Sequence, residues 1–437
     1  MTLPMIIGMI MLMTFGLVDT FFISMLGTDE LAAISFTFPV TFTIISLNIG
    51  LGIGTSAVIA RLLGANLHEQ AKETATGALM LAFVLAIVLA VIGVVSLEPI
   101  FSLMGASKEL MVHIKDYMYV WYAAGVFLAM PMVGNSVLRA AGDTKTPSYI
   151  MAFGGLVNVV LDPLLIFGWG PFPALGIKGA AIATLIAWAI GLFYIIYLLA
   201  IKRQLMQARL LNWLELKRSC GGILKIGLPA AGANMLTPIA TGVVTAIVAT
   251  YGSVAVAAWG VGGRLESIAS IVVLSLSMSL PPFISQNLGA NKLARVQQAF
   301  TLCIKFVIVW QLFIYALVAL GAGYIATIFT DDPQVASIIK LFLLIVPLGY
   351  GLQGVIILTN SSFNAMHLPM SALALSILRL FVVFVPFAYI GSYLYALNGL
   401  FIAAVLANFL VAIVAFIWFR KVVDKQVTLV KLSEKVS

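Results

Sequence analysis

Charge is what this sequence has least of. Asp, Glu, Lys and Arg make up 9% of its 437 residues, while 62% are hydrophobic. A soluble domain carries about 25% charged residues, so the chain cannot cover itself with a water-facing surface. Histidine occurs three times and cysteine twice. Cys220 and Cys303 lie far apart without metal-ligand spacing, and Cys220 falls in a basic linker read as cytoplasmic, which argues against a disulfide. His68, His113 and His367 sit at the ends of apolar runs or in loops. No H-E-x-x-H, G-x-S-x-G or phosphate-binding glycine-lysine loop occurs, and no large polar domain is present. These absences exclude a nucleotide-driven pump and intramembrane metalloprotease or acyl-transfer chemistry. No enzyme is expected, and no cofactor is implied.

Apolar runs fill the space that charge leaves. Runs long enough to cross a hydrocarbon core, roughly 20 residues each, recur at about 3–26, 31–62, 74–97, 115–139, 147–169, 176–201, 224–251, 254–287, 296–322, 338–364, 368–391 and 395–419. They predict twelve transmembrane helices in an all-α integral membrane protein. Closed barrels need short alternating segments instead. The first run starts at Leu3 with no basic region before it and continues as a full span. It does not read as a cleaved signal, and there is room for a short native leader ahead of it.

The net charge of +8 is explained by loop orientation, not by a nucleic-acid partner. Number the loops by the spans they join. The side of loops 2–3, 4–5, 6–7, 8–9 and 10–11 and the C-terminal tail, counted with the span ends that border it, holds 18 of the 24 Lys and Arg. The opposite side holds four (Lys108, Lys115, Lys178, Lys340), and Arg264 and Arg379 are assigned to neither side. Both termini are therefore expected in the cytoplasm. The polar stretch 203–222 separates an N-terminal lobe, 1–202, from a C-terminal lobe, 223–437. At an offset of 225 residues Leu3-Pro4 matches Leu228-Pro229, Ala32-Ala33 matches Ala257-Ala258, Leu63-Gly64-Ala65-Asn66 matches Leu288-Gly289-Ala290-Asn291, and Asn135-Ser136 matches Asn360-Ser361. A shared register of this kind predicts two parallel repeats of six helices, a design common among secondary transporters.

Five charged residues inside the spans call for an explanation: Asp19, Asp162, Arg264, Glu266 and Arg379. A charge at the bilayer centre costs at least about 2.5 kcal/mol. Asp162 has Asn158 four residues before it, on the same helical face. Pro163 leaves the Val159 carbonyl without its usual donor. A carboxylate, an amide and a loosened backbone thus meet at one depth. Desolvation penalises the charged acid, so such a site can exchange a proton against another cation. Arg264 and Glu266 are two apart and do not face each other on a regular helix; Arg379 is a candidate partner for Glu266, in a structural or a transport role. Pro4, reproduced by the repeat as Pro229, is a candidate hinge.

These features resemble the multidrug and toxic compound extrusion (MATE) family, in particular its DinF-like branch. The resemblance covers essentially all twelve spans. It rests on Pro4 with Leu17-Val18-Asp19-Thr20, on Gly64-Ala65-Asn66, and on Arg139-Ala140-Ala141-Gly142-Asp143-Thr144. Asn158-Val159-Val160-Leu161-Asp162-Pro163 and Gly179-Ala180-Ala181 complete it. It implies two six-helix lobes related by pseudo-two-fold symmetry, V-shaped around a central cleft, working by alternating access. It further implies export of cationic and lipophilic compounds in exchange for protons or sodium, from a bacterial inner membrane and as a monomer. For a DinF-like member the coupling acids would be Asp19 and Asp162, with Asn158 and Thr184 beside them; sodium would use Asp19, Asp162 and Asn158, and Pro4 would be the bending point. Spans 7 and 10 carry no Asp or Glu. That argues against the C-lobe sodium site of another branch and shifts the expectation to protons. A lipid or lipid-linked precursor flippase is the remaining alternative, but it would show a strongly basic cavity, and here Arg264 and Arg379 are the intramembrane bases.

Overall fold

The computed structural model describes residues 2–169, 173–207, 209 and 211–436, except the side chains of 12, 15–17, 20, 24, 28, 31 and 429–436. Residues 208 and 210 of the expected linker, and the side chains of Leu17 and Thr20, lie outside the described residues. All regular structure among the described residues is helical. The elements are α1 (Thr2–Ser24), α2 (Thr28–Gly64), α3 (His68–Leu103), α4 (Lys108–Ala140), α5 (Lys145–Ile166), α6 (Ile177–Tyr197), α7 (Trp213–Ala249), α8 (Ser253–Ala269), α9 (Ile271–Gly289), α10 (Leu293–Phe329), α11 (Pro333–Ile345), α12 (Tyr350–Ala365), α13 (Pro369–Ile377) and α14 (Val385–Val436). The chain divides into two compact units, Met1–Ala231 and Gly232–Ser437. The division falls inside α7, and α7 itself begins at Trp213, within the stretch read as linker.

Twelve spans account for these fourteen helices. α8 and α9 are one span with a break at Ser270, and α11 and α12 are one span joined by a 3-10 turn at Val346–Gly349. α14 is two helices joined across Tyr395 and Ala396, where the backbone leaves helical geometry. α13, the π-helical turn Leu378–Phe384 and the first part of α14 form span 11; the remainder is span 12. Among the described residues ten helical segments are long and apolar enough to cross a membrane, one of them, Pro369–Thr428, holding two spans.

The outward faces explain the composition. On α3, Val84, Val88, Val91 and Val95 form one exposed apolar stripe, while Ala71, Ala75, Ala78, Ala82 and Ala86 are buried on the other side. Branched residues face outward and small ones face the neighbouring helices. That inverts the soluble pattern, and it suits helices whose solvent is lipid and whose packing needs close backbones.

The repeat is visible in the backbone. α2 spans 28–64 and α8–α9 span 253–289; α4 spans 108–140 and α11–α12 span 333–365, each pair 225 apart. Asn66 and Asn291 take φ of 60° and 57°, and Gly142 and His367 take 88° and 62°. Each closes its helix in the same way. The residue after it donates back to the carbonyl five earlier: Leu67 to Leu62, Lys292 to Asn287, Asp143 to Leu138 and Leu368 to Phe363. This is a Schellman end, in which a left-handed residue turns the chain out of the helix. His367 takes the left-handed position that Gly142 holds in unit 1.

Beyond span 5 the offset falls to 220, because the loop before α6 is longer than its counterpart. Gly176 (φ 56°, ψ −138°) precedes α6, and Ala396 (φ 49°, ψ −137°) precedes the last span. A residue with a Cβ is strained in this conformation, by about 1–3 kcal/mol. Ala396→Gly is therefore expected to raise the thermal unfolding midpoint of the purified protein. An unchanged or lower midpoint would mean that Ala396 is not strained.

Candidate functional site

Within unit 1, α1 packs chiefly on α5, and α5 packs on α6. The α5 and α6 backbones approach closely at Gly179, where a Cβ would overlap the Leu165 carbonyl oxygen and stand 2.6 Å from its carbon. Only glycine lets the two backbones meet there. The crossing aims the inward faces of both helices at each other one to two turns further along.

Three of the predicted residues meet on those faces. Asn158 and Asp162 are fully buried on α5, and Thr184 on α6 is 6% exposed. With the Asn158 amide oriented so that both its ends are satisfied, its nitrogen donates to Asp162 Oδ2 at 2.8 Å and its oxygen accepts from the Thr184 hydroxyl at 3.2 Å. Thr184, whose register the sequence left open, stands beside Asn158 in this contact. Asp162 Oδ1 is buried with no hydrogen-bond partner, and so is Asp19 Oδ1 on α1. The two carboxyls lie within electrostatic reach of each other. Among the described residues no Lys, Arg or His forms an ion pair with either acid. A buried carboxyl without a countercharge must take one up or stay neutral. Neutral amide and hydroxyl dipoles can bond the charged form or the protonated one. Chemically, such a group can take up a proton or another cation.

Tyr117 joins this group. It projects from α4, is 8% exposed, and feels the charge of both Asp19 and Asp162. Sequence reading missed it because α4 also carries Tyr119 and Tyr122, and only packing distinguishes the three. Pro4 lies in the first described turn of α1, 15 residues before Asp19. That is about 22 Å along a helix rising 1.5 Å per residue. α1 runs unbroken between them.

The Arg139–Thr144 motif does structural work at the basic end of unit 1. Asp143 accepts from the Thr146 backbone at 3.0 Å and its hydroxyl at 2.7 Å, and it pairs with Arg203 at 2.6 Å. Burial alone would push the Asp143 carboxyl up, but the Thr146 hydrogen bonds and the Arg203 guanidinium hold it below its ordinary value. The motif thereby ties the start of α5 to Arg203, in the segment that follows α6.

Unit 2 holds the remaining candidates. Glu266 accepts from Gln353 Nε2 at 2.9 Å. Arg379 lies within reach of the Glu266 charge but makes no direct ion pair with it. Arg264 is exposed and does not join them. The partnership of Glu266 with Gln353 was not read from the sequence, which considered only charged partners.

Two helical units with a repeated backbone, apolar outward faces and a few buried polar groups are the design of a membrane transporter. The profile of the MatE family matches residues 4–164 and 229–390, and the chain belongs to that family. The matched segments start 225 residues apart and end 226 apart, in keeping with the one residue a π-helical turn inserts. The chain is 42% identical over 424 residues to the FAD transporter of Shewanella oneidensis, covering 97% of this chain and 94% of that one. It is 29% identical to the multidrug export protein MepA of Staphylococcus haemolyticus, covering 95% and 90% of the two chains. Among solved structures, the MATE transporter VcmN of Vibrio cholerae in the bent form superposes with a TM-score of 0.92, at 34% identity, covering 97% of this chain and 95% of that chain.

Proposed function

We propose that this chain is a proton-driven exporter of a bacterial inner membrane, with both termini in the cytoplasm, and that Asp19 and Asp162 exchange the driving proton. The observation that carries this is the buried Asp162–Asn158–Thr184 chain with a second carboxyl, Asp19, beside it and no cation paired to either. When both acids are charged they repel each other. A proton arriving from outside removes that repulsion and gives one acid a hydrogen to donate. α1 can then close on α5, with Pro4 as the bending point, and the cavity releases its cargo outward.

For the cargo, a flavin dinucleotide has the most support. The relative named as an FAD transporter stands at 42% identity, the multidrug export protein at 29%. The second reading, cationic and lipophilic drugs, rests on that lower likeness and on the wider family.

Everted vesicles in sodium-free buffer test both points. With an acidic lumen, FAD is expected to accumulate inside and to leak out when the gradient is collapsed. Accumulation that needs sodium would replace the proton. Accumulation of cationic dyes without FAD would replace the cargo.

A further inference from the structure

The two units diverge most in where they are polar. Unit 1 has Asp19, and its equivalent in unit 2 is Val244. Unit 2 has Glu266, Tyr350 and Gln353, and their equivalents 225 residues earlier are Thr41, Gly125 and Leu128. So unit 2 carries a polar island that the repeat does not require. It is drawn from three places: Glu266 on α8, Tyr350 and Gln353 on α12, and Arg379 in the π-helical turn Leu378–Phe384. Such turns occur at functional sites more often than elsewhere.

An internal ion pair is the simplest explanation of this island, and the geometry does not supply it. Glu266 spends its contact on Gln353 at 2.9 Å. Arg379 feels that carboxylate without touching it, and among the described residues it has no hydrogen bond or ion pair. Tyr350 is 4% exposed, and its hydroxyl is buried with no partner; it too lies within reach of the Glu266 charge. A guanidinium has five donors in a planar fork that fits phosphate with two parallel hydrogen bonds. Arg379 is half-buried, and a guanidinium withdrawn from water without an acceptor is costly. An unbonded fork, an orphaned hydroxyl and an amide thus all lie within reach of one carboxylate, Glu266.

We infer that Arg379, with Gln353 and the Tyr350 hydroxyl, forms a binding site for a phosphate-bearing group of the cargo. This deepens the dinucleotide reading above and rests on it for the identity of the cargo, not for the existence of the site. Glu266 has a defined part in it. It balances Arg379 while the site is empty, and an arriving phosphate must compete with it for the guanidinium. The site therefore binds its anion with limited strength and can release it, as transport requires.

The test is equilibrium binding to the full-length protein in lipid nanodiscs. The probes are FAD, riboflavin, which has the same ring system without phosphates, and inorganic pyrophosphate. Arg379→Ala should weaken FAD and pyrophosphate by about 30-fold or more, the effect of removing one partner of a buried charged contact, and leave riboflavin unchanged. Arg379→Lys should keep part of the affinity. Glu266→Gln should tighten FAD, because it removes the competitor. Unchanged FAD binding by Arg379→Ala, equal loss of FAD and riboflavin, or weaker FAD binding by Glu266→Gln would each overturn the site. If the wild type ignores FAD yet binds pyrophosphate through Arg379, the cargo reading fails and the site stands. If FAD binds independently of Arg379, the site fails and the cargo reading stands.

Discussion

Asp19→Asn should abolish pH-driven export while leaving the protein folded and able to bind cargo. Asparagine has the shape of the protonated acid and cannot lose the hydrogen, so the variant stays in the proton-loaded half of the cycle. The same holds for Asp162→Asn, with one difference. Asp162 Oδ2 accepts from the Asn158 amide, and an asparagine at 162 can still offer an oxygen there. Both variants should therefore fold, and both should fail to accumulate cargo against a gradient in everted vesicles. Thr184→Val is a milder change. It removes one neutral hydrogen bond to the Asn158 oxygen and lets the amide turn, and a loss of about tenfold in rate is expected from one buried hydrogen bond of about 1–1.5 kcal/mol. The order of effects is the informative part: both acids to background, Thr184 partial. Wild-type accumulation by either asparagine variant, at normal expression, would remove that acid from the coupling step.

The spans, their order and the repeat were legible because bilayer solvent leaves a strong pattern. An apolar run must be long enough to cross, and a charge inside it must have a reason. The same rule pointed to Asp19, Asp162 and Asn158, since a carboxylate and an amide four residues apart on one helix share a face whatever the tertiary packing. What sequence could not give was every contact that depends on how helices cross. Thr184 was reachable only as a residue early in span 6, since the loop before α6 changes the offset from 225 to 220 and blurs the register. Tyr117 was invisible among the tyrosines of α4. For Glu266 the sequence offers Arg379 as a partner, and the structure gives it an amide, Gln353. The break at Ser270 was equally hidden. There the amide of Gln311, 1% exposed, donates to the Ala269 carbonyl at 2.9 Å, whereas the equivalent position in unit 1 is Ala86 and α2 runs straight through.

Gly179→Ala tests how far the acid site depends on one such crossing. The added Cβ would overlap the Leu165 carbonyl oxygen and stand 2.9 Å from the Ile166 nitrogen. The peptide cannot swing aside, because the Leu175 N–H already donates to that carbonyl at 2.9 Å and the Gly176 N–H donates to the next one, Ile166, at 3.1 Å. The strain must go into moving α6 away from α5. Overpacking of this kind costs about 1–3 kcal/mol, and backbone-on-backbone contact places Gly179 at the upper end. The Thr184–Asn158 contact, at 3.2 Å, has little slack, so separation of the helices breaks it first and frees the amide that holds Asp162. Gly399→Ala is the matched control. Gly399 is the equivalent of Gly179 at the offset of 220, and a Cβ there would overlap the Gly391 carbonyl in unit 2. Both variants should lower the unfolding midpoint by similar amounts. In excess of that shared loss, only Gly179→Ala should impair proton-coupled transport, by at least the tenfold expected of Thr184→Val. Equal impairment in the two would mean that the crossing matters for stability alone, and that the hydrogen-bond chain from Thr184 to Asp162 does not set the coupling.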